Sequence, residues 1–548
     1  MQTRGPTGSS PGKARISTTW TVNESFRPAT VKSFAARKQS EKSGESCSNT
    51  SHKSIVAEFP SSRPRRPWKH SPQTQPNMRS GTNVPVPHQA PVMKLSILAA
   101  LLISLVSNPE APEVTITDSG KSGPTVVVVI NAAQNDAAES AFRQLRSWPL
   151  QHGRLICAAG TASAENSQKH TAAERLRELL AGKTPDWLVE LHESANASGN
   201  AATPQQATIT PGNTGLSSKT AHHLITAVNS EIESPSRSFQ ISNSPPVDAF
   251  LAAAQGPSWI PHAPESLLIQ TLQPGQSLAV RARQHRLIMA ALLHHLKLIE
   301  STSVASQIVA AEQQKQFNIA LLDDAGVGGR GVPSLLEIWS AEQEVTVQRV
   351  CGADIRSGCL TQFDLLCCSG GSGSRQASTL GEEGRTAVRQ FVAKGGDYVG
   401  ICAGSYLACS GFSWGLGILD AKTKSNRWKR GRAELPLQLT PAGSEVFTRG
   451  PQTATIIYNN GPIIQPHEQP EVPDFEVLAN FTAEVAQNET PAGIMIHSPA
   501  IVLGKFGQGD VLCISPHPEQ SGPAGQQWIT AALRHLRYGK AGTEAKTP

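Results

Sequence analysis

The sequence predicts an α/β protein made of two three-layer α/β domains. Three observations carry this. Residues 124–130 (Pro-Thr-Val-Val-Val-Val-Ile) are a continuous β-branched run, the signature of a strand buried on both faces. Strand-like and helix-like segments then alternate with short connections, as crossover units do. At 395–406 a Gly-Gly turn, a short apolar strand and the pattern Gly400-x-Cys402-x-Gly404 follow one another, which reads as a strand-to-helix elbow. At 548 residues the chain is long enough for more than one such unit.

The formal charge of +6 misleads. Residues 1–92 hold 14 Lys/Arg and 4 Asp/Glu out of totals of 49 and 43, leaving 35 basic and 39 acidic residues in the rest. The body of the chain is thus slightly acidic, and its charge gives no support to nucleic-acid binding. Residues 1–92 are rich in Ser, Pro, Arg, Lys and Gln without an apolar period, so they cannot bury enough surface to offset chain entropy and are expected to be disordered. A nucleic-acid tail around Arg63, Arg65 and Arg66 is the secondary reading.

Met93-Lys94 followed by the apolar run 95–106 and then Ser107, Asn108 and Pro109 reads as a secretory signal peptide over 93–111. The run is too short to span a bilayer as a helix, so no stable membrane span is expected. A signal peptide there implies a start at Met93, with 1–92 an over-extended gene model and a periplasmic or secreted product. The alternative is a hydrophobic helix inside a genuinely longer protein.

The first domain is expected over 113–300. Strands are predicted at 124–130, 154–158 and 187–191, and helices at 137–148, 171–180 and 277–298, with a Ser/Asn/Thr-rich interruption at 194–217. This order resembles the zinc carboxypeptidase superfamily, in its succinylglutamate desuccinylase and aspartoacylase branch. The resemblance implies a His-x-x-Glu zinc pair after the first strand, and here that tetrad is Ala133-Gln134-Asn135-Asp136. It implies a further zinc His at His192, in Leu191-His192-Glu193, and a general-base Glu where Gln270 stands. One His and one Asp fall short of the three protein ligands a catalytic zinc uses, and a Gln cannot act as a base near neutral pH. The expectation is therefore an inactive, zinc-free domain. His222 and His223 are the runner-up ligands, with nothing in the sequence to fix their geometry.

Residues 299–316 read as a connector, and the second domain follows over 317–540. Strands are expected at 317–323, 345–350, 363–368, 454–457, 500–505 and 510–515, and helices at 334–339 and 386–394. The Gly-rich 326–331 lacks the Gly-Lys-Ser/Thr ending of a phosphate loop. Residues 426–432 (Asn-Arg-Trp-Lys-Arg-Gly-Arg) form a basic patch, either a solvated loop or an attractor for an anionic substrate.

At the elbow, small neighbours relieve a crowded backbone, and the Cys402 thiol stands at the amino end of the next helix, where N–H groups and the helix dipole favour a thiolate. The plain alternative is a buried Cys in a Gly-rich turn. A thiol nucleophile needs a base and the base an orienting carboxylate; His517 and Glu519, two apart near the carboxyl terminus, can supply both. Of nine cysteines, seven lie at or after Cys351. Cys351 and Cys359 are close enough in sequence to be candidates for a disulfide, Cys367, Cys368 and Cys409 read as core, and Cys402 as the free reactive thiol.

The Cys…His-x-Glu order resembles the class I glutamine amidotransferase-like fold, a flavodoxin-like parallel sheet, and within it the biotin-protein ligase N-terminal domain. The resemblance runs from about 317 to 538 and rests on 318–324, 326–331, 363–373, the elbow, Tyr458-Asn459-Asn460-Gly461-Pro462 and 517–519. It implies Cys402 as nucleophile, His517 as proton carrier, Glu519 as its orienter, and the N–H groups of Gly371 and Ala403 as oxyanion hole, with no metal and no cofactor. Ser369 departs from the family's usual Pro. Two functions follow from the sequence. One is a glutaminase-like thiol amidohydrolase acting on a small-molecule amide or peptide-like ligand. The other is a non-catalytic binding or scaffold protein in which both domains are pseudoenzymes. Oligomeric state is not encoded in any feature read here.

Overall fold

The computed structural model describes residues 114–131, 135–160, 176, 178–194, 206–245, 249, 251, 262–308, 317–448 and 450–544. Residues 1–92, the apolar segment 93–111, Ala133, Gln134, most of the expected helix 171–180 and much of the connector lie outside the described residues.

The first sheet has seven strands: β1 (Val114–Asp118), β2 (Thr125–Asn131), β3 (Arg154–Gly160), β4 (Trp187–Ser194), β5 (Ala207–Pro211), β6 (Phe239–Ile241) and β7 (Glu265–Leu272). Their order is β1-β3-β2-β4-β7-β5-β6. β3, β2, β4 and β7 run parallel, while β1 and β5 pair antiparallel at either side. The β-branched run explains itself here. Val126, Val128 and Ile130 face the helices Asp136–Leu145, Gly215–Asn229 and Leu278–His295, whereas Val127 and Val129 meet Leu176, Leu180 and Leu188 on the other face. β5 falls inside the stretch that reads as an interruption: Ala207 and Ile209 are buried, and Thr208 donates to Gln270 Oε1 at 3.2 Å.

The second sheet has nine strands: β8 (Phe317–Leu322), β9 (Val345–Val350), β10 (Leu365–Cys368), β11 (Asp397–Ile401), β13 (Arg432–Leu439), β14 (Thr453–Asn459), β16 (Glu476–Phe481), β17 (Pro499–Phe506) and β18 (Gly509–Ile514), while β12 (Ala421–Thr423) and β15 (Ile464–Pro466) form a separate ribbon. The order is β14-β13-β16-β17-β18-β11-β10-β8-β9. The run from β18 to β9 is parallel, and four antiparallel strands extend it. One face packs Ile319, Leu365, Val399 and Leu512 against Trp339 and Trp528; the other packs Ala320, Leu366, Tyr398 and Val511 against Leu380, Val388 and Leu407. Both sheets are thus three-layered, as the fold class requires. The helix expected at 386–394 is the end of a longer one, Gly373–Ala393, broken by Gly381 at φ 65°.

The two sheets belong to one compact unit, Pro91–Pro548. Helix Leu278–His295 is buried almost all round because it serves both. Ser277 Oγ donates to Asp323 O at 2.5 Å, and Arg283 and Arg286 reach Asp354 Oδ1 at 3.1 and 2.5 Å. All eight described cysteines are free, so the Cys351–Cys359 pairing is not formed; Cys351 Sγ instead donates to Asp354 Oδ2 at 3.2 Å. Among the described residues no helix is long and apolar enough to cross a membrane.

Candidate active site

β10, β11 and β18 are parallel neighbours, so their carboxyl ends open on one edge, where ligands bind in sheets of this kind. β10 delivers Ser369–Gly371, β11 delivers Cys402, and β18 delivers His517. Cys402 adopts φ 51°, ψ −97°, a strained conformation for a residue with a side chain. The surrounding structure holds it there. Cys402 N–H donates to Ile514 O at 2.8 Å, Tyr398 OH donates to Gly404 O at 2.9 Å, and Ser405 Oγ lies 2.8 and 2.9 Å from Gly400 O and Ile514 O. Gly400 and Gly404 are required by space: a Cβ on Gly404 would lie 1.8 Å from Cys368 O, and one on Gly400 2.6 Å from Gly404 C.

Cys402 and His517 are each 6% exposed, and Glu519 2%. His517 Nδ1 lies 2.9 Å from Glu519 Oε1, which also accepts from Gln520 Nε2 at 2.8 Å. The His517 main chain is pinned by its N–H to Ile457 O at 2.7 Å, and its ring lies against Gly370, where a Cβ would meet Cε1 at 2.5 Å. Burial opposes charge on this ring, but Cys402 and Glu519 outweigh it, and the imidazole is raised to about 10. The thiol is near enough to act on the ring's charge, yet no hydrogen bond of good geometry reaches Nε2, which is buried without a partner. Cys402 Sγ instead faces Asn459 O at 3.5 Å. Charge acts over a longer range than a hydrogen bond, so the thiol and carboxylate hold the ring's proton although Sγ does not bond to Nε2.

Gly371 lines the same cavity as Cys402, and Ala403 is its neighbour in the chain. Ala403 is the first residue of helix Ala403–Ala408, so its N–H has no intrahelical acceptor. Gly371 sits at φ 137° between two tethers, Gly328 N–H to Gly370 O and Ser372 N–H to Gly326 O, each 2.7 Å. From the Tyr458–Pro462 motif, Asn459 and Asn460 join the cavity wall. Tyr458 OH donates to Gly461 O at 2.7 Å, Ser515 Oγ to Pro462 O at 2.7 Å, and Asn460 takes φ 57°.

Gly371, Cys402, Asn459, Asn460 and His517 line a cavity of about 510 Å³ that also includes Arg330, Tyr406, Phe412, Trp414 and Trp428. The aromatic side of this wall was not read from the sequence. Tyr406, Phe412 and Trp414 are spread over a helix end and a turn, so no period marks them, although three aromatics just after an elbow are a usable signal. Two of the four basic residues in the patch are paired. Arg430 is buried, donates to Pro491 O at 2.8 Å and pairs with Glu484 at 3.6 Å, while Arg427 lies 3.7 Å from Glu489.

In the first sheet, Glu193 follows the suggested His192 and has its own partners. Glu193 accepts from Ala137 and Ala138 N–H at 2.5 and 3.1 Å, pairs with Arg281, and donates its own N–H to Asn135 Oδ1 at 2.6 Å. His192 is buried, with Nδ1 4.0 Å from Glu190, and pairs in register with Gln270 across β4 and β7. His222 Nδ1 contacts Ser218 O in its own helix, and the His223 ring packs at a tilt against His295, centroids 4.6 Å apart. Among the described residues no cluster of three or more His, Cys, Asp or Glu could hold a metal ion.

Comparison with known proteins gives one family match: residues 346–428 match the family model described as biotin-protein ligase, N terminal. The matched span includes Gly371, Cys402 and Ala403 and ends before His517. No curated protein matches the chain. Solved structures similar to it include PurLQS from Thermotoga maritima (15% identity, 40% of this chain and 99% of that one, TM-score 0.30) and a glutamine amidotransferase (17% identity, 39% and 98%, TM-score 0.28). Another is the tripeptide-bound cell shape determinant Csd4 of Helicobacter pylori (11% identity, 38% and 67%, TM-score 0.27).

Proposed function

We propose that the second sheet carries a thiol amidohydrolase. The observation that supports this best is the 2.9 Å contact of His517 Nδ1 with Glu519, which leaves Nε2 unpartnered and buried beside a strained cysteine. In the proposed reaction Cys402 gives its thiol proton to His517 Nε2, Sγ attacks the amide carbonyl, and the N–H groups of Gly371 and Ala403 receive the oxyanion. Collapse breaks the C–N bond, with the His517 proton going to the leaving amine. A water then gives its proton to His517, attacks the thioester carbonyl, and the C–S bond breaks to free Cys402. Glu519 fixes the ring's orientation and tautomer throughout.

The first sheet has no part in this chemistry; the tie of Glu193 to Arg281 supports a supporting or binding role. Export through residues 93–111 belongs to the same proposal and is tested by amino-terminal sequencing of the secreted product. The second reading, a binding protein without catalysis, draws on one observation: the thiol faces Asn459 O and makes no bond to Nε2. Alkylation by iodoacetamide at neutral pH separates the two. Fast, selective modification of Cys402 that slows in His517→Ala supports the enzyme; a rate no greater than that of an ordinary thiol sinks it.

A further inference from the structure

The cavity wall is chemically lopsided. Among the described residues lining it, Arg330 is the only Lys or Arg, and no Asp or Glu occurs. Arg330 is exposed, precedes helix Gly331–Ser340, and forms no ion pair among the described residues. On another side stands a continuous aromatic surface. Phe412 and Trp414 stack with centroids 4.6 Å apart and 22° between planes, and Tyr406 lies 5.9 Å from Phe412. This surface is held in place from behind. Tyr406 OH donates to Asn460 O at 3.2 Å, and the Trp414 ring seats on Gly373, where a Cβ would come within 3.1 Å. Trp428, half exposed, stands on the exposed loop at the rim.

Resting on the reading of this site as a thiol amidohydrolase, we infer that its substrate is an amide bearing both a free carboxylate, met by Arg330, and a planar or apolar group, laid on the Tyr406–Phe412–Trp414 surface. A guanidinium pairs well with a carboxylate, and a rigid aromatic face gives apolar contact at little entropic cost. A cavity of about 510 Å³ is of the size that holds drug-sized ligands, so a small free amino acid amide would leave much of it to water. N-acylated glutamine or asparagine and short amide-bearing peptides ending in a carboxylate have the required parts.

The test is binding rather than turnover. Calorimetry on full-length Cys402→Ala protein would compare N-benzoyl-L-glutamine with its α-methyl ester and with free L-glutamine. The benzoyl acid is expected to bind at least about tenfold more tightly than either. Arg330→Met should erase the preference for acid over ester, and Trp414→Leu the preference for benzoyl over free glutamine. Equal binding of the three ligands to Cys402→Ala overturns the inference without needing any further variant, as does an acid–ester preference that survives Arg330→Met. Slow Cys402 alkylation alongside the expected binding pattern would leave the ligand class standing and remove the chemistry instead.

Discussion

Replacing Asp354 by Asn tests the contact between the two sheets. The carboxylate is fully buried, and it receives Arg283 and Arg286 on Oδ1 at 3.1 and 2.5 Å and Cys351 N–H and Sγ on Oδ2 at 3.1 and 3.2 Å. Burial alone would raise its pKa, but the two guanidiniums and the cysteine contacts win, and it is held below the usual carboxylate range. In Asp354→Asn both arginines lose their counter-charge, and one oxygen that accepts two hydrogen bonds becomes an NH2 facing two donors. Breaking a buried pair from one side costs about 3–5 kcal/mol. Asp118, whose pair with Arg154 at 2.7 Å is about half exposed, is the control, with an expected cost of about 0–1 kcal/mol on removal. Urea unfolding followed by tryptophan fluorescence and far-ultraviolet circular dichroism measures both. A cost below about 1 kcal/mol for Asp354→Asn would refute the reasoning, because it would mean that water reaches the arginines and the interface is not closed.

Other predictions follow from the site. Gly370→Ala puts a methyl into the space of the His517 ring and should slow Cys402 alkylation while leaving the far-ultraviolet circular dichroism spectrum intact; an unchanged rate counts against the ring position. Gly404→Ala, whose Cβ would meet a backbone oxygen, should destabilise by about 1–3 kcal/mol or more in thermal unfolding, whereas Gly215→Ala, with nothing nearby, should stay within about 0.5 kcal/mol. The folded His517 is raised above its ordinary value of about 6.5, so its charge stabilises the fold fully below that pH and the contribution is lost as pH rises through about 10. The melting-temperature gap between the wild type and His517→Gln should therefore be widest near pH 6 and shrink toward pH 10; a gap that grows with pH contradicts the assignment. Glu519→Gln should lower the pH at which His517 loses its proton, followed by nuclear magnetic resonance of the imidazole.

Much of this protein was legible from its residues in order. A strand covered on both faces needs apolar side chains at every position, so β2 was readable as 124–130 before any partner was known. The elbow was readable because Gly400 and Gly404 leave no room for a side chain. Two outlying strands were harder. β13 alternates buried and exposed residues and includes Pro436, and β5 is a short run in a polar stretch. Their strand character comes from the neighbours they pair with.

Local sequence determined which residues bear reactive groups and where the chain must turn sharply, because those depend on side-chain chemistry and on steric limits within a few residues. Distances across the chain were decided by tertiary structure alone. The meeting of Cys402 with Asn459 and His517, the seat of the imidazole on Gly370, the aromatic surface beside Arg330 and the capture of Glu193 by Arg281 all join residues remote in sequence. Such contacts depend on strand order and register, and only the packing of the whole sheet fixes those.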